Sequence, residues 1–195
     1  MKIEYEATFT NVDKDVARGK LRAAGAVLRR PEFLQKRAVF NLPSGHEVKG
    51  AWARVRDEGD KVTMSLKIVD GTAIADQKET CITVNDFAEA VALLKTLGCD
   101  EKAYQETKRE LWDLDGVEVT IDEWPFLEPF VEVEGNSEES VKAASEKLGF
   151  EWAKAKFCAI GALYSEKYGF PESHFNNETP RIVFDMENPF AVKNP

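Results

Sequence analysis

Hydrophobic and polar residues alternate along much of this chain, and the alternation predicts strands. Over residues 2–9, Ile3, Tyr5, Ala7 and Phe9 fall on one face and Lys2, Glu4, Glu6 and Thr8 on the other, because successive strand side chains point to opposite sides. The same reading predicts strands over 33–41, 51–58, 61–69, 77–84, 104–114, 117–124 and 130–135. Gly59-Asp60 and Asp115-Gly116 read as hairpin turns, and Pro43-Ser44-Gly45 as a third turn. Helical spacing with capping residues predicts one helix from Asn11 or Asp13 to about Ala24, ended by Gly25. Further helices run from Asp86 to Leu97, ended by Gly98, from Ser137 to Leu148, and over 153–168. The segment from Gly169 is rich in Pro and Asn, with one strand-like piece over 181–186.

Many strands, few helices and short turns predict an α+β fold whose antiparallel sheet closes into a barrel with helices packed outside. The chain divides into a barrel domain over 1–168 and a C-terminal extension over 169–195, packed on or near the barrel. That extension either caps a barrel end or pairs with another subunit, which leaves a homodimer open. The polar face of the strands carries both signs of charge: Arg54 and Arg56 flank Val55, Lys67 lies between Leu66 and Ile68, and Asp122 follows Ile121. A one-sided sheet with a solvated face is the plain alternative. The acids, however, gather on the first and last main strands with the bases between them. The opposite face is rich in Val, Ile and Leu, which gives the helices an apolar surface to cover. This pattern predicts a polar lumen.

The chain has 195 residues, 43% of them hydrophobic, enough for one domain with a core. Its net charge of −9 disfavours nucleic acid as a partner but leaves room for a small polyanion in a local basic cavity. No apolar run is long enough for a membrane span, and Met1-Lys2-Ile3-Glu4 does not begin a secretion signal. Together these predict a cytoplasmic protein. Cys81, Cys99 and Cys158 show neither zinc spacing nor a disulfide framework and are expected as buried reduced thiols. His46 and His174 are expected as surface residues in loops. The pairs Glu4/Glu6 and Glu132/Glu134 each place two carboxylates on one strand face. Neighbouring carboxylates repel unless a cation neutralises them, and hard divalent cations favour oxygen ligands. Acids for a metal and bases for an anion predict a metal-assisted phosphate site inside the barrel.

These residues resemble the CYTH domains, also called triphosphate tunnel metalloenzymes. The resemblance covers Lys2 to about Tyr164. It rests on Glu4-x-Glu6, Arg54-x-Arg56, Thr63-x-Ser65-Leu66-Lys67, Glu79, Lys108-Arg109-Glu110, Asp122-Glu123 and Phe130-Val131-Glu132-Val133-Glu134-Gly135. It implies a closed barrel of about eight antiparallel strands around a charged tunnel. Arg54, Arg56, Lys67 and Arg109 would contact phosphate, with Arg37 as an extra contact. Glu4, Glu6, Glu132 and Glu134 would hold Mg²⁺ or Mn²⁺, with Glu79 and Asp122 as further ligands or supporting acids. Strand alternation lets only one of Lys108 and Arg109 point inward, and the motif favours Arg109. The family pattern continues with a lysine where this chain has Thr8, so one lumen cation is replaced by a hydroxyl. Lys154 or Lys156 could substitute at the tunnel mouth, although surface positions suit both. Trp124, Phe126 and Phe130 read as core or rim packing.

The resemblance implies three functions. The first is divalent-metal-dependent hydrolysis of inorganic triphosphate, thiamine triphosphate or a nucleoside triphosphate, with Glu4, Glu6 and Glu132 as the catalytic set. The second is a class IV type adenylyl cyclase, converting ATP to cyclic AMP and pyrophosphate. The third is a triphosphate- or polyphosphate-binding module without turnover.

Overall fold

The computed structural model describes residues 1–191 of the chain; the last four residues of the predicted extension, 192–195, lie outside the described residues. The elements are β1 (Lys2–Ile3), β2 (Tyr5–Phe9), α1 (Lys14–Ala23), β3 (Val27–Asn41), β4 (Ala51–Asp57), β5 (Val62–Val69), β6 (Gln77–Val84) and α2 (Phe87–Thr96). They continue with β7 (Asp100–Leu114), β8 (Val117–Glu123), β9 (Phe130–Gly135), α3 (Glu138–Lys147), α4 (Ile160–Tyr168), α5 (Glu172–Glu178) and β10 (Arg181–Ile182). Strands pair in the order β1-β6-β5-β4-β3-β7-β8-β9-β2. Because β1 and β2 are consecutive in sequence, this antiparallel path returns to its start and the sheet is nearly closed into a barrel.

The path holds nine strands rather than eight. The first predicted strand is broken at Glu4, where the chain leaves β6 and joins β9. Gln77 holds that seam: its carbonyl accepts the Glu4 N–H at 2.9 Å, and its side-chain amide donates to the Glu6 carbonyl at 2.8 Å. The helix starts follow the predicted chemistry. Asp13 accepts the N–H groups of Asp15 and Val16, Asp86 that of Glu89, and Ser137 that of Ser140, each satisfying donors a helix cannot pair internally.

The outer face of the sheet forms the core. Helices α1 and α3 cover Ala7, Val119, Ile121, Val131 and Val133, and α2 covers Ala38, Phe40, Ala53 and Val55. A third cluster joins Trp124 and Phe130 to Tyr164, Phe175, Ile182 and Phe190. There the buried Tyr164 hydroxyl donates to the Pro125 carbonyl at 2.6 Å.

Four expectations need correction. Residues 153–168 are not one helix: a 3-10 turn at Trp152–Lys154 precedes an extended stretch, and α4 starts at Ile160. In that stretch Lys156 exchanges two 3.0 Å backbone bonds with Thr8, pairing groups on β2 that β6 no longer reaches. The strand-like piece over 181–186 shrinks to β10, which runs parallel to β7. His174 sits in α5, partly buried, with Nδ1 2.9 Å from Glu178. The thiols are free but not buried: Cys81 is exposed, and Cys99 and Cys158 are partly covered. No helix among the described residues is long and apolar enough to cross a membrane.

Candidate functional site

The inner face of the sheet surrounds a cavity of about 680 Å³. Its charged lining is set by strand register. Arg37 on β3 lies opposite Arg56 on β4, Arg54 lies two residues further along β4, and Lys67 on β5 lies opposite Glu79 on β6. Arg109 on β7 lies opposite Asp122 on β8. Glu6, Glu134 and Glu118 lie side by side across β2, β9 and β8, and Thr8 lies opposite Glu132. Like charges directly opposed across strands repel, so the wall that carries this row favours a cation.

Most bases are already paired with acids. Lys67 Nζ lies 2.9 Å from Glu4 Oε2 and 3.5 Å from Glu6. Arg54 donates to Glu79 at 2.9 Å. Arg109 grips Asp122 through two bonds of 2.7 and 2.9 Å and donates to Glu132 at 2.6 Å. Asp122 also accepts the Thr120 hydroxyl at 2.5 Å. Arg56 lies 2.8 Å from Glu58. Arg37 differs. It is 6% exposed, donates only to the neutral Gln35 and Thr107 oxygens, and lies over the Trp124 ring at 4.6 Å. Its Nε, like those of Arg54 and Arg56, has no partner. A buried guanidinium without a carboxylate is costly, which suits a site that receives an anion.

The titration behaviour follows from these surroundings. Burial, then neighbouring Arg54 and Arg56, holds Arg37 well below the ordinary arginine range. Burial, then Arg54, brings Arg56 down to about 10. Burial alone would lower Lys67 and Arg109, but the carboxylates of Glu6 and Glu4 raise the first, and those of Asp122 and Glu132 raise the second. Burial raises Glu132 well above the usual carboxylate range, with Glu6 and Asp122 adding repulsion. Glu134 is raised to about 7 by burial, Glu6 and Glu118. Glu4 and Glu79 act as a pair. Burial drives Glu4 up against the pull of Lys67, whereas for Glu79 the pull of Arg54 and a hydrogen bond from Glu4 outweigh burial and draw it down.

Among the described residues, no three carboxylate, thiol or imidazole groups converge closely enough to hold a metal ion as they stand. Lys67 and Arg109 draw the acids toward themselves instead. In kind the residues fit a hard divalent cation. The donors are carboxylate oxygens, and burial with mutual repulsion raises Glu4, Glu132 and Glu134 above the usual carboxylate range, a cost that a bound cation would offset.

The eleven expected site residues lie on the inner side of the sheet, with Glu4 at the break between β1 and β2; most form separate ion pairs rather than one constellation, and Arg37 and Glu134 form none. Lys108 points outward, toward Glu123 and over Phe184. Lys154 pairs with Glu151 and Lys156 with Glu166, so neither replaces the missing lumen lysine. Sequence reasoning missed Glu118, which the spacing 118, 120, 122 could have shown, and Trp52, two residues before Arg54. It also missed Lys102 and the α5 residues Glu172, Asn176 and Asn177, all of which line the cavity. Lys102 turns inward where a register shift between Val39 and Phe40 inserts one extra residue in β7, which no period-2 pattern reveals.

A family model, the CYTH domain, matches residues 32–155, more than half of the chain. The chain belongs to the CYTH domain family. The CYTH match includes every site residue except Glu4 and Glu6, which precede it; α4 and α5 follow it. No curated protein matches the chain by sequence. Among solved structures, the CYTH chain resembles an adenylate cyclase candidate from Vibrio parahaemolyticus, with TM-score 0.69 and 12% identity over 84% of this chain and 98% of that one. A conserved hypothetical protein from Pyrococcus furiosus gives TM-score 0.67 and 19% identity over 80% and 97%. An adenylyl cyclase candidate from Hippeastrum, reported to have a dominant triphosphatase activity, gives TM-score 0.55 and 14% identity over 89% and 100%. At these identities the likeness is one of fold.

Proposed function

We propose that this CYTH protein hydrolyses a triphosphate-containing substrate with the help of a divalent cation, Mg²⁺ or Mn²⁺. The observation that carries the reading is Arg37, a buried guanidinium without a carboxylate partner, set beside Arg54, Arg56 and Arg109 and across the cavity from the acid row. Arg37, Arg54, Arg56, Lys67 and Arg109 hold the phosphate chain, the arginines through paired donors that match phosphate oxygens. Glu4, Glu6, Glu132 and Glu134 hold the cation, supported by Glu79 and Asp122. When bound, the cation supplies charge neutralisation on the phosphate chain and lowers the pKa of a bound water.

The reaction adds water at the terminal phosphorus and breaks the bridging P–O bond, releasing orthophosphate and leaving a diphosphate. Glu4 or Glu6 orients the attacking water and receives its proton, and Arg37 and Arg109 stabilise charge on the phosphoryl oxygens. A cyclase is the second reading. The cavity of about 680 Å³ supports it, since that is the size of sites for drug-sized ligands; in that reaction a ribose 3′-hydroxyl would replace water as the attacking group.

The test is release of orthophosphate, pyrophosphate and cyclic AMP from tripolyphosphate, thiamine triphosphate and ATP, with Mg²⁺, Mn²⁺ or chelator. Metal-dependent orthophosphate that disappears in Glu6→Gln supports the hydrolase, and cyclic AMP with pyrophosphate supports the cyclase. No product from any substrate overturns both.

A further inference from the structure

The seam of the barrel is paired over only part of its length. On β6 the ladder with β1 holds two pairs, Lys2 with Glu79 and Ile3 with Lys78, and no strand continues it along residues 80–84. The Gln77 carbonyl accepts the Glu4 N–H across that seam, so the backbone groups of every second residue from Gln77 onward face the same side. Those of Cys81 and Thr83 therefore face outward, and among the described residues neither makes a backbone bond on that side. Unpaired N–H and C=O groups along an edge are a template for another strand.

The sheet has a second free edge, and that one is guarded. β3 has no strand on one side over residues 27–35, because its pairing with β4 begins at Lys36. This stretch carries Arg29, Arg30 and Pro31 and two register shifts, all of which oppose edge pairing. Residues 80–84, Thr-Cys-Ile-Thr-Val, have no charge, no proline and an unbroken register with β5. Four of the five are exposed, Ile82 by 51%. Ile82 lies opposite Met64, which packs with Val84 into the cluster under α2. The apolar outer face thus runs past the helix and ends uncovered at Ile82.

Charge at the two ends of this edge selects its occupant. Lys2 and Lys78 stand exposed at the start, and Asp86 and Glu89 stand exposed at the end, where α2 begins. Antiparallel pairing of two such edges about a twofold axis sets each basic end against an acidic end. Parallel pairing would set like charges together. We propose that β6 is a dimerisation edge: two copies of this chain pair antiparallel along residues 80–84 and join their barrels into one continuous sheet. The Thr and Val residues there favour strand pairing, and the axis near Ile82 and Thr83 brings Ile82 against the same short apolar segment of its mate. The paired segment is short, so the dimer belongs to the small, exchanging class of interfaces.

The test is sedimentation of the full chain from about 1 to 200 µM, a range that brackets micromolar dissociation constants, for the wild type, Ile82→Lys, Thr83→Pro and Leu97→Lys. Proline at 83 removes an N–H that faces the seam, not one bonded to β5, as edge strands tolerate. Leu97 is 62% exposed on α2 and serves as the control. The wild type and Leu97→Lys should dimerise as concentration rises, and Ile82→Lys and Thr83→Pro should each raise the dissociation constant roughly tenfold or more. Higher salt should weaken the wild-type dimer, because it screens the paired ends. A monomer throughout the range, or a dimer that Ile82→Lys leaves unmoved, overturns the proposal. If Thr83→Pro fails to fold, Ile82→Lys decides alone, since its side chain already faces water. A dimer lost equally in Leu97→Lys also overturns it, because the interface would then lie on the helix.

Discussion

Lys67 Nζ stands between two glutamates of the first strands, 2.9 Å from Glu4 and 3.5 Å from Glu6. All three side chains are largely buried, so each charge depends on the others. Lys67→Met should destabilise the chain by about 3 kcal/mol at pH 8, as removal of one partner of a buried ion pair does. The loss should shrink at pH 5, where a protonated Glu4 needs no cation. Urea denaturation at the two pH values checks both statements; an equal loss at pH 5 and pH 8 contradicts the pairing.

Arg37 makes the opposite case. Its charge is buried against neutral oxygens and an indole. Arg37→Met should weaken tripolyphosphate binding at least roughly tenfold, since a charge-assisted contact to a buried phosphate is lost. The same change should leave the denaturation midpoint equal or higher, because an uncompensated buried charge has gone. Calorimetry and urea titration on one preparation test the two halves.

Glu132→Gln separates an enzyme from a binder. It keeps the shape of the side chain that accepts from Arg109 at 2.6 Å but removes the charge. Metal-dependent turnover should fall roughly 100-fold, a magnitude typical of losing one electrostatic group at a reacting centre. Binding of tripolyphosphate in chelator should be equal or tighter, because one repelling carboxylate is absent. Unchanged turnover would remove Glu132 from the site.

Glu134 gives the chain a pH dependence with a defined sign. In the folded chain it keeps its proton up to about pH 7, whereas its ordinary value is 4.5. Between these values the folded state binds more protons than the unfolded state, so stability falls as pH rises from about 4.5 to about 7 and levels off above. In chelator, urea midpoints at pH 5, 6, 7 and 8 should show this decline. Glu134→Gln should flatten it, and millimolar Mg²⁺ should offset it at pH 8.

Much of this architecture was legible because its signals are local. Alternation at Arg54-Val55-Arg56 and Ile121-Asp122 told inside from outside, and Asp13, Asp86 and Ser137 marked helix starts by their capping oxygens. What escaped depends on distant partners. The break at Glu4 exists because Gln77, more than seventy positions away, ends one pairing as β9 begins another. The extended run near Lys156 is set by free backbone groups on Thr8, and apolar spacing alone cannot distinguish it from a helix. The inward turn of Lys102 needs a bulge. The segment Glu172–Glu178 carries no amphipathic repeat; its buried residue, Phe175, fixes the helix by packing against Trp124 and Tyr164, distant partners that no local pattern reveals. At the site, residue types and faces were readable, but the pairing of each acid with a particular base was not, because it is decided by register across strands.

The seam at Gln77 also bears on the order of assembly. β3, β4 and β5 are joined by short connections and bring Arg37, Arg54, Arg56 and Lys67 together, and Arg109 joins them through the longer-range pairing of β7 with β3, which sets Gln105 opposite Arg37. The acids complete their row only when Glu6 meets Glu134, across more than 120 residues of chain, and loops of that span close slowly. During refolding, anion affinity should therefore return before metal-dependent function does. A stopped-flow record should show the recovery of indole fluorescence leading the recovery of the divalent-cation response. The protein would pass through a stage in which it can grip phosphate but cannot yet act on it.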